Sequence, residues 1–149
     1  MLGAMRALLQ RVSEASVSVD AHVVGQIGPG LCAFVGVGGH DDQAVADRMA
    51  VKIWQIRLFP DEAGNMNRSA AELGLAVLVV SQFTLYADTT RGRRPSFVPA
   101  APPELARGLV ERLVSQLQAA GAVVGTGRFG ATMQVRLVNE GPVTIMLEI

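Results

Sequence analysis

Apolar positions along this chain recur with two different periods, and the changes of period divide it into elements. Near the N-terminus, Leu8 to Val12 is a short mixed run and Ser16 to Val19 alternates polar with apolar. Both predict strands, with a turn near Glu14 and Ala15. A further apolar piece follows His22 and leads into Gly28-Pro29-Gly30, a turn signal. Leu31 to Val35 is then continuously apolar and predicts a strand covered on both faces. From Asp41 the period lengthens: Val45, Met49, Ile53 and Ile56 recur at helical spacing, with Asp41 or Asp42 as N-cap. Leu75 to Val80 predicts a central strand that delivers Ser81-Gln82-Phe83-Thr84 to its carboxyl end.

Ala87 to Pro103 holds three arginines and four prolines and predicts an ordered, irregular loop. A second helix follows, with Leu105, Leu109, Leu113 and Leu117 as its buried stripe, Pro103 in its first turn and Gly121 at its C-terminal cap. Met133, Val135 and Leu137 alternate with polar residues, Asn139-Glu140-Gly141-Pro142 interrupts, and Val143, Ile145, Leu147 and Ile149 alternate again. This predicts two strands joined through Gly-Pro. The fold class is therefore α/β, a single layered domain of β-sheets with two covering helices. Residues 5–149 are expected to form the domain, starting at Met5, with residues 1–4 a loose extension.

A chain of 149 residues that is half hydrophobic can bury one core. Thirteen basic residues balance thirteen acidic ones, so bulk charge does not hold a nucleic acid and any RNA contact is local. The single cysteine, Cys32, lies in the apolar run of the third strand and reads as a buried, inert thiol. Arg6, Gln10 and Arg11 interrupt the N-terminal apolar stretch, and no run approaches a membrane span, so the expectation is a cytoplasmic protein with no membrane partner. His22 and His40 stand apart from other ligand-type residues, so neither a metal nor a cofactor is expected, and no Gly-x-Ser-x-Gly elbow occurs. Gly125 to Gly130 fits GxGxxG but is followed by a strand pattern, which assigns it to turn and close packing. Gly36 to Gly39 reads as a helix-entry turn.

Two separated strings carry a family resemblance. Val80-Ser81-Gln82-Phe83-Thr84-Leu85 resembles the SQxxL signature of the D-aminoacyl-tRNA deacylases, and Asn139-Glu140-Gly141-Pro142-Val143-Thr144 resembles their NxGPVT signature. Arg6 to Val12, Met66-Asn67, Gly92 to Phe97 and Gly127 to Gly130 extend the likeness over the chain from Met5, while Gln55, Ile56 and Asn65 depart from the pattern.

The resemblance implies hydrolysis of the ester between a D-amino acid and the 3′ end of tRNA, in a homodimer with active sites at the subunit interface. Such an ester is already activated by its α-ammonium group and needs a positioned water and an oxyanion site. Backbone N–H groups at Phe83 and Thr84 suit the second need, one such donor being worth ~3 kcal/mol in the transition state. Ser81, Gln82, Phe83 and Thr84 are the catalytic candidates. Ser81 and Gln82 would fix the loop or the terminal adenosine, whose 2′-hydroxyl is implied to assist the water. Thr84 is the rival nucleophile, with no activating base evident.

By base rate the Gly141-Pro142 bond is trans. The resemblance implies instead a cis pair inserted into the partner subunit's site, excluding L-residues and letting glycyl-tRNA through. Arg11 braces that pair or faces solvent. Asn139 belongs with it as support, and Phe83 and Met133 line the side-chain pocket or serve as core. Arg91, Arg93 and Arg94 are candidates for tRNA phosphate contact. The competing readings are a related deacylase of other chirality and a noncatalytic nucleic-acid-binding module.

Overall fold

The computed structural model describes residues 4–149, so residues 1–3 of the expected extension lie outside the described residues. Strand β1 (Arg6–Val19) is one element of 14 residues, where the sequence pattern predicted two strands and a turn. It stays unbroken at Glu14 and Ala15 because both of its edges are paired. β2 (His22–Ile27) and β3 (Gly30–Gly36) share one edge, and β8 (Gln134–Glu148) runs along the other. The reversal comes later, at Asp20 and Ala21, whose φ values of 49° and 65° are those of a tight hairpin turn.

Helix α1 (Gln43–Gln55) begins at Asp42, whose side chain accepts from the Val45 N–H at 3.0 Å. Asp41 has a different task, accepting from the Gly38 N–H at 2.6 Å to close the turn out of β3. A small hairpin that the apolar pattern does not reveal, β4 (Arg57–Pro60) with β5 (Met66–Ser69), leads into the one-turn helix α2 (Ala70–Leu73). A capping box between Ser69 and Glu72 starts that turn. Beyond β6 (Ala76–Ser81), helix α3 (Pro103–Ala119) buries Ala106, Leu109, Leu113 and Leu117, with Leu105 only half-buried. Each buried leucine contributes roughly 2 kcal/mol by apolar transfer. Gly121, at φ 105°, follows the last turn.

The sheet is mixed, in the order β2-β1-β3-β6-β7, where β7 is Val124–Thr126 and β8 pairs with β1. β3, β6 and β7 are mutually parallel and the other pairs antiparallel. Side chains alternate across it. Leu31, Ala33, Val35, Val77 and Val79 pack with α1 and α3, whereas Cys32, Leu78 and Val80 point into a second core with Val12, Val17 and Ile27. That second core exists because the sheet curls until its edges meet. A Cβ on Gly25 would collide with the Thr126 carbonyl, and one on Gly125 would lie 3.3 Å from the Gln26 nitrogen. Of the GxGxxG glycines, Gly125 therefore serves close packing of β7 on β2, Gly127 makes room for Met133, and Gly130, at φ 78°, serves the turn. Arg112 holds α3 to α1 through a bidentate pair with Asp47, Nε to Oδ1 at 2.8 Å and Nη2 to Oδ2 at 3.0 Å.

Complete burial pushes the Cys32 thiol up to about 12. The folded protein should therefore resist iodoacetamide at neutral pH and react fully once unfolded in urea. Because an unfolded thiol ionises near ~8.5 and the folded one does not, stability should decline as pH rises above that value. Rapid labelling of the native protein would disprove this burial.

Candidate active site

The site is built where β3 and β6 end side by side. Their parallel register sets Val35 opposite Ser81, and the Gln82 N–H donates to the Val35 carbonyl at 2.8 Å. The chain then tightens into a 3-10 turn, Phe83–Tyr86. Gly36 permits that turn to lie against β3, since a Cβ there would come within 3.0 Å of both the Gln82 oxygen and the Tyr86 ring. From β1, Arg6 Nη1 donates to the Leu85 carbonyl at 2.8 Å, with its guanidinium 4.7 Å from the Tyr86 ring centroid. Burial holds the Tyr86 phenol above its usual range, so it stays neutral beneath the turn.

Above the turn opens a pocket of about 570 Å³. Ser81, Gln82 and Phe83 line one side, Phe97 and the start of α3 a second, and Phe129, Met133 and Val135 the third. Phe83 is 56% exposed and stands edge-on to Phe97, with centroids 5.0 Å apart. It is therefore a wall of the pocket and no part of the core, and half-buried Met133 lines the same space. Thr84 is exposed beside the pocket, where its hydroxyl accepts from the Gln82 side-chain amide. Hydrogen bonding within the turn starts with the Leu85 N–H on the Gln82 carbonyl at 3.2 Å. The Phe83 and Thr84 N–H groups precede that bond, where a helical turn supplies no acceptor of its own. Neither histidine lines the pocket, and both are exposed.

Gly141 and Pro142 do not join these residues within the chain. β8 is one strand and not two, because its halves on either side of Gly-Pro both pair with β1. Gln10 pairs with Thr144 and Val12 with Asn139, so Glu140, Gly141, Pro142 and Val143 face Arg11 alone and bulge outward. Arg11 spans the bulge, donating from Nε to the Glu140 carbonyl at 2.8 Å and from Nη1 to the Leu58 carbonyl at 2.7 Å. Asn139 closes it from inside, accepting from the Val143 N–H at 2.8 Å and donating to the Val143 carbonyl at 3.1 Å. The Gly141-Pro142 bond is cis, against the base-rate expectation and in line with the resemblance. Both residues are exposed and line no part of the pocket. Arg91, Arg93 and Arg94 are also exposed, on a loop tied at its base by the Asp88–Ser96 bridge, and none lines the pocket.

Fold and pocket together define a mixed-sheet α/β domain with a cavity at the carboxyl ends of parallel strands, the usual place for a ligand site in such sheets. The chain belongs to the D-Tyr-tRNA(Tyr) deacylase family, whose model matches residues 8–148. It is an enzyme, a hydrolase of carboxylic esters. It is similar to proteins named D-aminoacyl-tRNA deacylase from Roseiflexus castenholzii and Ruegeria pomeroyi. These are 58% and 57% identical to it, over 97% of this chain in both cases and over 92% and 100% of their own lengths. Among solved structures it is similar to the c-Myc DNA unwinding element binding protein, with a TM-score of 0.91 and 38% identity over 97% of this chain and 98% of that one.

Sequence reasoning missed Phe97 and Phe129 as pocket walls and Arg6 as the support of the turn. A signal existed for the aromatics: of five phenylalanines, Phe83, Phe97 and Phe129 lie outside the long apolar runs, where a core role is least expected. Gly127 offers a way to probe the pocket without touching its polar edge. A Cβ there would stand 2.5 Å from Met133 Sδ and push that side chain into the cavity. Gly127→Ala should raise KM about tenfold, equivalent to ~1.4 kcal/mol, while the melting temperature moves by only a few degrees. An unchanged KM would remove Met133 from the substrate's surroundings.

Proposed function

We propose that this enzyme, in the cytosol, hydrolyses the ester joining a D-amino acid or glycine to the 3′-terminal adenosine of tRNA, and spares L-aminoacyl-tRNA by steric exclusion. The observation that carries the reading is the pocket's polar edge. Ser81, Gln82 and Phe83 line an apolar cavity whose walls hold no histidine and no carboxylate, and the Phe83 and Thr84 N–H groups open the adjoining 3-10 turn, where the turn supplies them no acceptor. That edge suits an ester needing oxyanion stabilisation and a positioned water, and it does not suit a substrate that demands a strong general base.

In this reading the water oxygen bonds to the ester carbonyl carbon, and the Phe83 and Thr84 N–H groups hold the resulting oxyanion. The bond to the 3′-oxygen then breaks. The adjacent 2′-hydroxyl of the substrate passes the water's proton to the departing 3′-oxygen. Water is favoured over Thr84 as nucleophile, since the Thr84 hydroxyl accepts from the Gln82 amide and the pocket's lining holds no histidine or carboxylate to activate it. Arg91, Arg93 and Arg94 approach the acceptor-end phosphates from their loop.

Chirality is read by backbone. The exposed Gly141–Pro142 bulge, braced by Arg11 and Asn139, enters the pocket of a second copy of the chain in a homodimer, its carbonyls facing the substrate's α-ammonium group. An L side chain would run into that backbone where a D-substrate presents hydrogen. Each tenfold of discrimination requires ~1.4 kcal/mol, so a modest clash suffices. Glycine, having no side chain, passes the same filter.

The deciding assay is release of amino acid from matched D-tyrosyl-, L-tyrosyl- and glycyl-tRNA. Cleavage of the D and glycyl esters with the L ester intact is expected. Cleavage of the L ester would support a related deacylase of other chirality, and tRNA binding with no cleavage at all would support a noncatalytic nucleic-acid-binding module. Thr84→Ala should keep kcat within about tenfold, the scale of one lost hydrogen bond. A fall of ~10⁴ or more would instead identify Thr84 as the nucleophile.

A further inference from the structure

A second cleft, of about 330 Å³, lies on the far side of Phe129, between α3 and the β6–β7 end of the sheet. Ser81 and Phe129 belong to the walls of both cavities, so the cleft adjoins the pocket at these two residues. Arg107, on the first turns of α3, lies over the outer face of Phe129, its guanidinium 5.2 Å from the ring centroid. A guanidinium stacked in this way is oriented by the ring while its in-plane N–H groups remain available for an anion. Arg128 flanks the same cleft from the turn after β7. Its backbone N–H donates to Met133 Sδ at 3.4 Å, which anchors the turn to the pocket wall.

We propose that this cleft holds the phosphodiester backbone leading away from the terminal nucleotide of the tRNA, with Arg107 and Arg128 as its phosphate ligands. The inference rests on the tRNA-ester reading above and adds the path of the 3′ end. Among the described residues, neither arginine takes part in an ion pair, whereas Arg6, Arg68 and Arg112 do. Both guanidinium groups are exposed, so solvated donors stand on the cleft's walls without a protein partner. Glu111 shares the lining, and two cations against one anion leave the cleft net positive in a chain whose overall charge is zero. The hydroxyls of Ser115 and Thr126 add neutral donors beside them. Arg91, Arg93 and Arg94 line neither cavity, so Arg107 and Arg128 are the arginines next to the walls that the cleft shares with the pocket, and the loop arginines would meet phosphates farther along the acceptor end.

The test compares wild type with Arg107→Gln, Arg128→Gln and the double variant. Affinity for uncharged tRNA with an intact 3′ end is measured across salt concentrations, and steady-state kinetics are measured on D-tyrosyl-tRNA and on the D-tyrosyl ester of adenosine, which has no phosphate. The double variant should lower the slope of log affinity against log salt by about 1.4, or ~0.7 per single-strand phosphate contact, and raise KM for the tRNA ester about tenfold or more. Cleavage of the adenosine ester should keep its wild-type kcat and KM. Arg107→Lys with Arg128→Lys should restore most of the salt slope. An unchanged slope overturns the proposal, and so does an equal loss on both esters. Wild-type tRNA binding whose salt slope depends on these arginines, without cleavage of either ester, would uphold the cleft and refute the hydrolytic reading.

Discussion

The parallel pairing of β3 with β6 is the constraint on which the rest of the structure depends. It sets Val35 beside Ser81, so that both strands end together and the chain beyond Ser81 must turn above the sheet. Parallel strands need both faces covered, and this chain meets that need in two ways. α1 and α3 cover one face, and the curl of the sheet upon itself covers the other. Gly30 allows the pair to approach, because a Cβ there would collide with the Ala76 carbonyl. The turn at Phe83–Tyr86 is then held from two elements: β3, through the Val35 carbonyl and the open space at Gly36, and β1, through Arg6.

The polar edge of this pocket is a tight turn, so what it presents is set by backbone as well as by side chains. Amide donors on a tight turn are fixed in direction by the fold and need no reorganisation as charge develops, which is the property electrostatic catalysis rewards. The same economy appears at the Glu140–Val143 bulge. Four residues leave the ladder opposite Arg11, and of the polar groups thus freed the Glu140 carbonyl is taken up by the Arg11 guanidinium and the Val143 N–H and carbonyl by the Asn139 side chain. The result is an exposed backbone projection on the edge strand of the sheet, rigid for a reason that lies in its own hydrogen bonds. Pocket and projection share no residue within one copy of the chain.

Charge follows a similar local logic. With no net charge, the chain places five of its thirteen cations in two local groups, Arg91, Arg93 and Arg94 on the loop after the turn and Arg107 and Arg128 in the cleft beside Phe129. Arg112 and Arg68, by contrast, are occupied in ion pairs with Asp47 and Glu72 that tie helices and turns together. Sequence position does not separate these two uses of arginine, since all carry the same charge and differ only in what lies across from them.

The sequence by itself determined the elements whose signal is periodic or local. The stripe of α3 at Leu109, Leu113 and Leu117, the Asp42 cap, the buried run of β3 and the arrival of Ser81 to Thr84 at a strand end were all legible, because burial periodicity and capping act within a few residues. Two signature strings were enough to identify the family. Only the tertiary structure decided what depends on pairing between distant segments: that β1 continues through Glu14 and Ala15, that β8 is one strand with a bulge, that Gly25 and Gly125 let the sheet edges meet, and that Phe97 and Phe129 face the same cavity as Phe83. An alternating pattern reports which face a residue points to but not which strand lies beside it. The neighbour is set by the whole chain's effort to pair every backbone group and bury both faces of one sheet.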